Sequence, residues 1–434
     1  MDATQIIANC SFAACAAKRE HAQVELFLDV KGNLSDCRVV TPCKPSLAVG
    51  IAVARAEEAI EDIMPKADVS RFRELVLCVE FSLHHLQAFC HLAESLQLPI
   101  TEFRPRLGRL TQSVEAILPT TDDTRSSLAL PDAVVHEQIG QLGGEALELA
   151  QQCRRLFDDS IVRFLQEDDS LPHDILGHRP LSVCLTDEYN RLQFSGNHLR
   201  IVGSRREELT RFLPFEFEHG FTDLTSGGYV SSTLARTLAA ESMSTPAAAA
   251  AHDGLLNSIR SRTANLSVVN QWGRLVELLY ATEYWTGFVA PGEKARVDSP
   301  AEIGDPPAGS HSDGESKQSV SRDRPIGVGW AESPYGLVID VCECVSTGKY
   351  DHQTTCGPFH NAAAIAGEIR KATESMIHKS QVDGGLPSVV EAMVRRHDVG
   401  LPSDASYRRG QLPLEVTIYR SDESVLRRQT QNLY

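Results

Sequence analysis

The sequence predicts an α+β protein in which helices dominate and β-structure is confined to small sheets. Apolar residues recur at intervals of three and four through most of the first half, and few Gly or Pro interrupt those stretches. Short alternating runs bounded by turn residues occur near the start, in the middle and near the end of the chain.

Val24 to Val30, Gly32-Asn33 and Leu34 to Val40 alternate polar and apolar residues around a turn pair, the pattern of a β-hairpin. Ser46 to Met64, Arg71 to Gln97 and Pro131 to Gln166 carry apolar residues at helical spacing, so helices are expected there. From Pro180 to Arg211 the period falls to two. Leu181 to Leu185, Leu192 to Phe194 and Leu199 to Val202 read as strands, broken at Asn190 and Gly196-Asn197. Helical spacing returns at Ser231 to Ala240 and from His252 to Tyr284. Tyr335 to Val345 reads as a strand, Asn361 to Met376 and Pro387 to Arg396 as helices, and Leu412 to Tyr419 as the final strand.

Pro291 to Pro325 is rich in Pro, Gly, Ser, Asp and Lys and almost empty of large apolar residues. Burial there cannot offset the entropy of ordering, so a disordered insertion is expected. It divides one domain into a first part, 1–290, and a C-terminal part, 326–434.

The 42 Lys+Arg against 58 Asp+Glu leave a formal charge of −16, and no dense basic run offers a phosphate-neutralising surface, so a nucleic-acid partner is not expected. No stretch reaches the roughly 20 unbroken apolar residues that span a bilayer, so membrane insertion is not expected either. The start of the chain lacks a basic segment ahead of an apolar run, which makes the cytoplasm the expected location. Eleven cysteines without regular spacing do not form a disulfide framework. No nucleophile elbow, phosphate loop or dinucleotide fingerprint occurs.

Five segments carry a family resemblance in a consistent order. They are Leu185-Thr-Asp-Glu-Tyr-Asn-Arg-Leu-Gln-Phe-Ser-Gly-Asn-His-Leu-Arg-Ile-Val202, Ser82-Leu-His-His-Leu-Gln-Ala-Phe89, Gly273-Arg-Leu-Val-Glu-Leu-Leu-Tyr-Ala-Thr-Glu283, Glu332-Ser-Pro-Tyr-Gly336 and His360-Asn-Ala-Ala-Ala-Ile365. Together they resemble the nickel-iron hydrogenase large subunit, especially its cytoplasmic branches. The resemblance covers almost the whole chain outside the insertion and implies a large-subunit-like helical domain.

It also implies where metal ligands would stand. In that family two Cys-x-x-Cys pairs hold nickel, and two of the thiolates bridge to an iron carrying cyanide and carbonyl; thiolates suit this soft, redox-active pair. The first pair falls on Arg38-Val-Val-Thr-Pro-Cys43, which leaves Val40 and Cys43 at the ligand positions and Leu47 at the histidine position; pairing Cys37 with Cys43 is the alternative, at a different spacing. The second pair falls on Arg395-Arg-His-Asp-Val-Gly-Leu-Pro-Ser-Asp-Ala-Ser406, followed by Gly410-Gln-Leu-Pro-Leu-Glu-Val416. Gly400 and Ser403 stand at its thiolate positions and Ser406 at the histidine that precedes the family's proteolytic cut. Tyr335 replaces the arginine that caps the metals, and Glu20, in Arg19-Glu-His-Ala22, is the candidate remnant of the proton-transfer glutamate.

The resemblance therefore implies a degenerate large subunit. The leading expectation is a non-catalytic homologue that assists hydrogenase assembly, with Cys43 and Cys37 as candidate ligands for a transiently carried iron–cyanide–carbonyl unit and hydrogenase maturation proteins as partners. Nickel is not expected. The alternatives are a structural subunit that docks an iron-sulfur small subunit without binding metal, and an active hydrogenase with a rearranged site. One further group stands apart: Cys342, Cys344, His352, Cys356 and His360 are zinc-compatible donors at a non-standard spacing. The alternative is that Cys342 and Cys344 line the core face of a strand and that His360-Asn361 caps a helix. His84 and His85, adjacent on a helix, cannot both face one metal and are expected in the core or an interface.

Overall fold

The computed structural model describes residues 22–30, 34–40, 46–118, 133–167, 181–202, 209–212, 229–230, 232–261, 266–288, 326–346, 349–355 and 413–432, together with Ala366, Ile369 and Val390. Strands β1 (Ala22–Leu28) and β2 (Leu34–Val40) form the expected hairpin. Helices α1 (Leu47–Glu61), α2 (Ala67–Ser95), α3 (Phe103–Ile117) and α4 (Ala133–Leu156) follow; α4 continues through a π turn (Phe157–Ile161) into α5 (Val162–Glu167). Next come β3 (Leu181–Thr186), β4 (His198–Val202), β5 (Leu209–Phe212) and β6 (Tyr229–Val230), then helices α6 (Thr233–Ala239), α7 (Pro246–Ser261) and α8 (Leu266–Phe288). The described chain ends with β7 (Ile326–Ser333), β8 (Gly336–Ser346), β9 (Lys349–Thr355), β10 (Pro413–Tyr419) and β11 (Val425–Asn432).

The α+β expectation holds: a helical core carries three small sheets, ordered β11-β10-β1-β2, β5-β4-β3-β6 and β7-β8-β9. In the first sheet β1 pairs parallel with β10, Leu26 opposite Ile418, and antiparallel with β2, Leu26 opposite Cys37. Gln23 pairs with Val40 and Ala22 with Leu414, so β1 begins, β2 ends and β10 begins at the same end of the strands. The sheet joins strands far apart in the sequence.

The core lies among α2, α4, α7 and α8, where Phe81, Phe89, Leu149, Leu279 and Trp285 are buried. The stretch Ala67–Glu94 of α2 is long and apolar enough to cross a membrane by length and composition, although the sequence shows no unbroken apolar run; 83% of its apolar window is buried inside the protein, as in a core helix.

Helix α1 lies directly on the third sheet. Its small residues Ala48, Ala52 and Ala56 form one buried stripe at helical spacing. A Cβ added at Gly329 would lie 1.9 Å from the Ala52 carbonyl oxygen, and one at Gly327 would lie 2.0 Å from that of Ala56, so the two strand glycines are what permit this approach. Arg55 then reaches past the strand, its guanidinium donating to the carbonyls of Gly196, Trp330 and Ser195 and to Asn197 Oδ1. Burial, with Arg73 nearby, lowers Arg55 to about 10.

Several elements correct the sequence reading. Leu192 to Phe194 is not a strand: Leu192 makes a single bridge to Thr186, because Gln193 and Gly196 are held in turns. The helical stretch from His252 to Tyr284 belongs to two helices, α7 and α8. Leu412 to Tyr419 is not the last strand, since β11 pairs antiparallel with it. Helix α3 and strands β7 and β9 went unread. The insertion 291–325 lies outside the described residues, as do the expected helices at 361–376 and 387–396 apart from Ala366, Ile369 and Val390, which are helical.

Candidate functional site

The β7–β8 hairpin turns through Pro334 and Tyr335. Ser333 pairs with Gly336, whose φ of 121° lies in the region that favours glycine. Ser333 Oγ donates to the Gly336 carbonyl at 2.8 Å and accepts the Tyr335 N–H at 3.2 Å. This turn sets half-buried Tyr335 edge-on against His84, with ring centroids 5.2 Å apart. His84 lies on α2 one turn beyond Glu80, so the two share a helix face.

Glu80 reaches the start of α1. Ser46 is the N-cap, with φ −130° and ψ 145°, and its hydroxyl accepts the Ala48 N–H at 3.1 Å while donating to Glu80 Oε2 at 3.0 Å. Burial raises Glu80 to about 7, although hydrogen bonds from the Ser46 hydroxyl and the Leu47 N–H pull the other way. Ser46, Glu80, His84 and Tyr335 form the rim of the candidate site, and Leu47, which the sequence resemblance sets at a histidine position, is the first residue of α1.

Behind the rim lies a fully buried ion network. Arg236 on α6 donates from Nε to Glu277 Oε1 at 2.7 Å and from Nη2 to Glu277 Oε2 at 2.9 Å, a bidentate pair with neither side chain exposed. His85 Nε2 lies 2.9 Å from the same Glu277 Oε2. Arg236 Nη1 donates to the Ser333 carbonyl at 3.3 Å and stands 3.7 Å from Glu332 Oε2. Glu332 accepts the Leu185 N–H at 3.2 Å, and its own N–H donates to the Phe194 carbonyl at 2.8 Å. Burial would push Glu277 up, but Arg236 and His85 outweigh it and hold the carboxyl below its ordinary value.

A second buried carboxylate, Glu74 on α2, accepts the Phe194 and Ser195 N–H groups at 3.0 and 2.6 Å and the Tyr280 hydroxyl at 2.7 Å. Four segments quoted for the resemblance meet in these contacts: His84 and His85, Glu277 and Tyr280, Phe194, and Glu332 with Tyr335. The sequence reading placed His84, His85, Glu277 and Tyr280 on helices, as found, but put Phe194 in a strand and Glu332 in no element, and it missed Arg236, Glu74 and Glu80. No motif marks them; their signal is only a charge within an otherwise apolar helical face.

Of the predicted ligand residues, Cys37 is buried opposite Leu26 in β2, and Val40 ends the same strand opposite Gln23. Glu20, Cys43, Gly400, Ser403 and Ser406 lie outside the described residues. By sequence, Glu20 precedes the first residue of β1 by two, and Cys43 follows the last residue of β2 by three. The donors of the described rim are a hydroxyl, a carboxylate, an imidazole and a phenol. Among the described residues this donor set does not fit a nickel-iron pair, which needs soft thiolates.

In the Cys342 group, Cys342 lies cross-strand from His352, with Sγ and Nε2 3.8 Å apart. His352 Nδ1 is 2.8 Å from Asp340 Oδ2 and Nε2 is 3.1 Å from Glu57 Oε1 of α1. Cys342 is buried and Cys344 partly so, as a strand face requires. Cys356 and His360 lie outside the described residues, and among the described residues no group of three or more such donors is arranged to hold a metal.

Comparison with known proteins places this architecture. No family model matches the chain. A curated relative from Archaeoglobus profundus, an iron-sulfur subunit of its F420-non-reducing hydrogenase, is 21% identical over 489 residues, covering 94% of this chain and 96% of its own length. Among solved structures, a chain of the NAD+-reducing [NiFe]-hydrogenase in the H2-reduced state superposes with a TM-score of 0.55 at 14% identity, covering 86% of this chain and 93% of that one. The fold therefore resembles that of the hydrogenase large subunit, and the chain is similar in sequence to a hydrogenase subunit over nearly its whole length.

Proposed function

We propose that this chain is a non-catalytic hydrogenase-type scaffold that assists hydrogenase assembly, with the iron–cyanide–carbonyl unit carried transiently as cargo on Cys43, Cys37 being the second candidate ligand. The observation that carries the reading is a contrast. The buried framework built on Arg236, Glu277, His85 and Glu332 is complete, whereas Val40, Gly400, Ser403 and Tyr335 stand where the resembling family has ligands and the capping arginine. A fold maintained without its soft ligand set suits holding and handing over better than redox turnover. The partners on this reading are hydrogenase maturation proteins, and the place of action is the cytoplasm.

The test is to purify the chain with whatever accompanies it and record iron content together with the infrared bands of bound cyanide and carbonyl. Iron with those bands, lost in Cys43→Ser, supports the reading. Metal-free protein in a stable complex with an iron-sulfur subunit contradicts it and favours the second reading, a structural subunit of an electron-transfer complex. That second reading draws support from the name of the Archaeoglobus relative, which is a hydrogenase subunit. With Ser406 at the position of the cut-site histidine, the segment Gly410 to Tyr434 stays attached on this account, and the intact mass of the purified chain checks that.

A further inference from the structure

The sheet ordered β5-β4-β3-β6 turns two different faces to its surroundings. Val183, Leu185, Leu199 and Ile201 point to one side and pack with Val328, Trp330, Leu337 and Ile339 of the third sheet. Side chains alternate along a strand, so Cys184, Thr186, His198 and Arg200 share the other side. Arg200 stands at its centre. It pairs with Cys184 of β3 and, across the sheet, with Arg211 of β5, which puts two arginines at directly opposite register positions on one face. Like charges so placed are unfavourable and call for a counter-charge.

Arg200 is only 5% exposed. Its Nη2 lies 2.9 Å from Glu241 Oε1, and Glu241, with a side chain 52% exposed, also accepts from Asn190 Nδ2 at 3.4 Å. The Arg200 Nε and Nη1 are buried without a hydrogen-bond partner among the described residues, and so is the hydroxyl of Thr186, its diagonal neighbour on β3. A guanidinium carries five N–H donors in a fixed planar fork suited to carboxylate and phosphate oxygens, and a buried charged donor left unmade is costly. We propose that this face binds a small oxyanion, its oxygens accepting from Arg200 Nε and Nη1 and from the Thr186 hydroxyl, with Glu241 marking the edge open to solvent. The donors set the ligand class: N–H and O–H groups around a buried cation select an anion rich in acceptor oxygens. None of these residues belongs to the rim or to the Arg236 network, so this site stands apart from the assembly reading.

The experiment is thermal unfolding of the full chain titrated with inorganic phosphate and, separately, with formate, against chloride at matched ionic strength. A ligand that binds the folded state raises the midpoint along a saturable curve, and that is expected for at least one of the two anions. A response to phosphate alone assigns a tetrahedral oxyanion, and one to formate alone assigns a carboxylate. Arg200→Met should weaken the fitted affinity about tenfold or more, the scale of losing hydrogen bonds to a charged group. Glu241→Gln removes the like charge beside the anion and should tighten binding about two- to fivefold, the scale of one partly exposed charge, and it serves where the Arg200 variant fails to fold. No saturable rise above chloride with either anion, an unchanged affinity in Arg200→Met, or an affinity in Glu241→Gln no tighter than the wild type would overturn the proposal.

Discussion

Replacing Arg236 by Met removes the cation at the centre of the buried network while keeping most of the side-chain volume. In the native protein the guanidinium sits 2.7 and 2.9 Å from the two oxygens of Glu277 and 3.7 Å from Glu332, and all three side chains are fully buried. The substitution leaves Glu277 facing His85 and Glu332 facing the Leu185 N–H, with no guanidinium between the carboxylates. A charge pair near 4 Å at an effective dielectric of about 20 is worth about 4 kcal/mol, and breaking a buried pair on one side typically costs about 3–5 kcal/mol. Urea denaturation at pH 7 should therefore show Arg236→Met less stable by about 3–5 kcal/mol. In the double variant with Glu277→Gln the loss should be clearly smaller than the sum of the single losses, because the second substitution removes the stranded charge. A loss below about 1 kcal/mol for Arg236→Met, or strict additivity, would refute the network as a structural keystone.

Three further outcomes follow from the same structure. Gly329→Ala would put a Cβ 1.9 Å from the Ala52 carbonyl, forcing α1 off its sheet; a loss of about 1–3 kcal/mol in chemical denaturation is expected, and unchanged stability would contradict the close seating. Glu277 is held below its ordinary value, so it contributes stability that is present above about pH 4.5 and lost as pH falls through the depressed value; acid unfolding of Glu277→Gln should accordingly show a shallower pH dependence below 4.5 than the wild type. Burial pushes the thiols of Cys78, Cys153 and Cys184 upward and that of Cys90 to about 12, so iodoacetamide at pH 7.5 should leave these four unmodified in the folded chain, as peptide mass spectrometry would report.

The sequence is most legible where burial follows a period. Helix α2 and the β1–β2 hairpin can be read to within a few residues because their apolar positions recur cleanly. Helix α3 escapes notice although Phe103, Leu107, Leu110 and Val114 are its buried positions, since Arg104, Pro105, Arg106, Gly108 and Arg109 interrupt the pattern seen along the chain. Strand β7 is hidden by Gly327 and Gly329, which weaken a strand pattern for the very reason that α1 needs them. Strand β9, Lys-Tyr-Asp-His-Gln-Thr-Thr, is polar because it is an edge strand whose side chains bond to Asp340 and α1 rather than fill a core. At the site, quoted motifs lead to His85, Glu277 and Glu332, but nothing local marks Arg236 or Glu80. Their partners lie 41 and 34 residues away, and only the fold brings them together.

The most direct test of the account is nickel content and hydrogen-dependent dye reduction measured on the same purified, full-length sample. On the proposed reading, which sets Val40, Gly400 and Ser403 at ligand positions, the sample should hold no stoichiometric nickel and reduce no dye under hydrogen. One nickel per chain together with hydrogen uptake would contradict it.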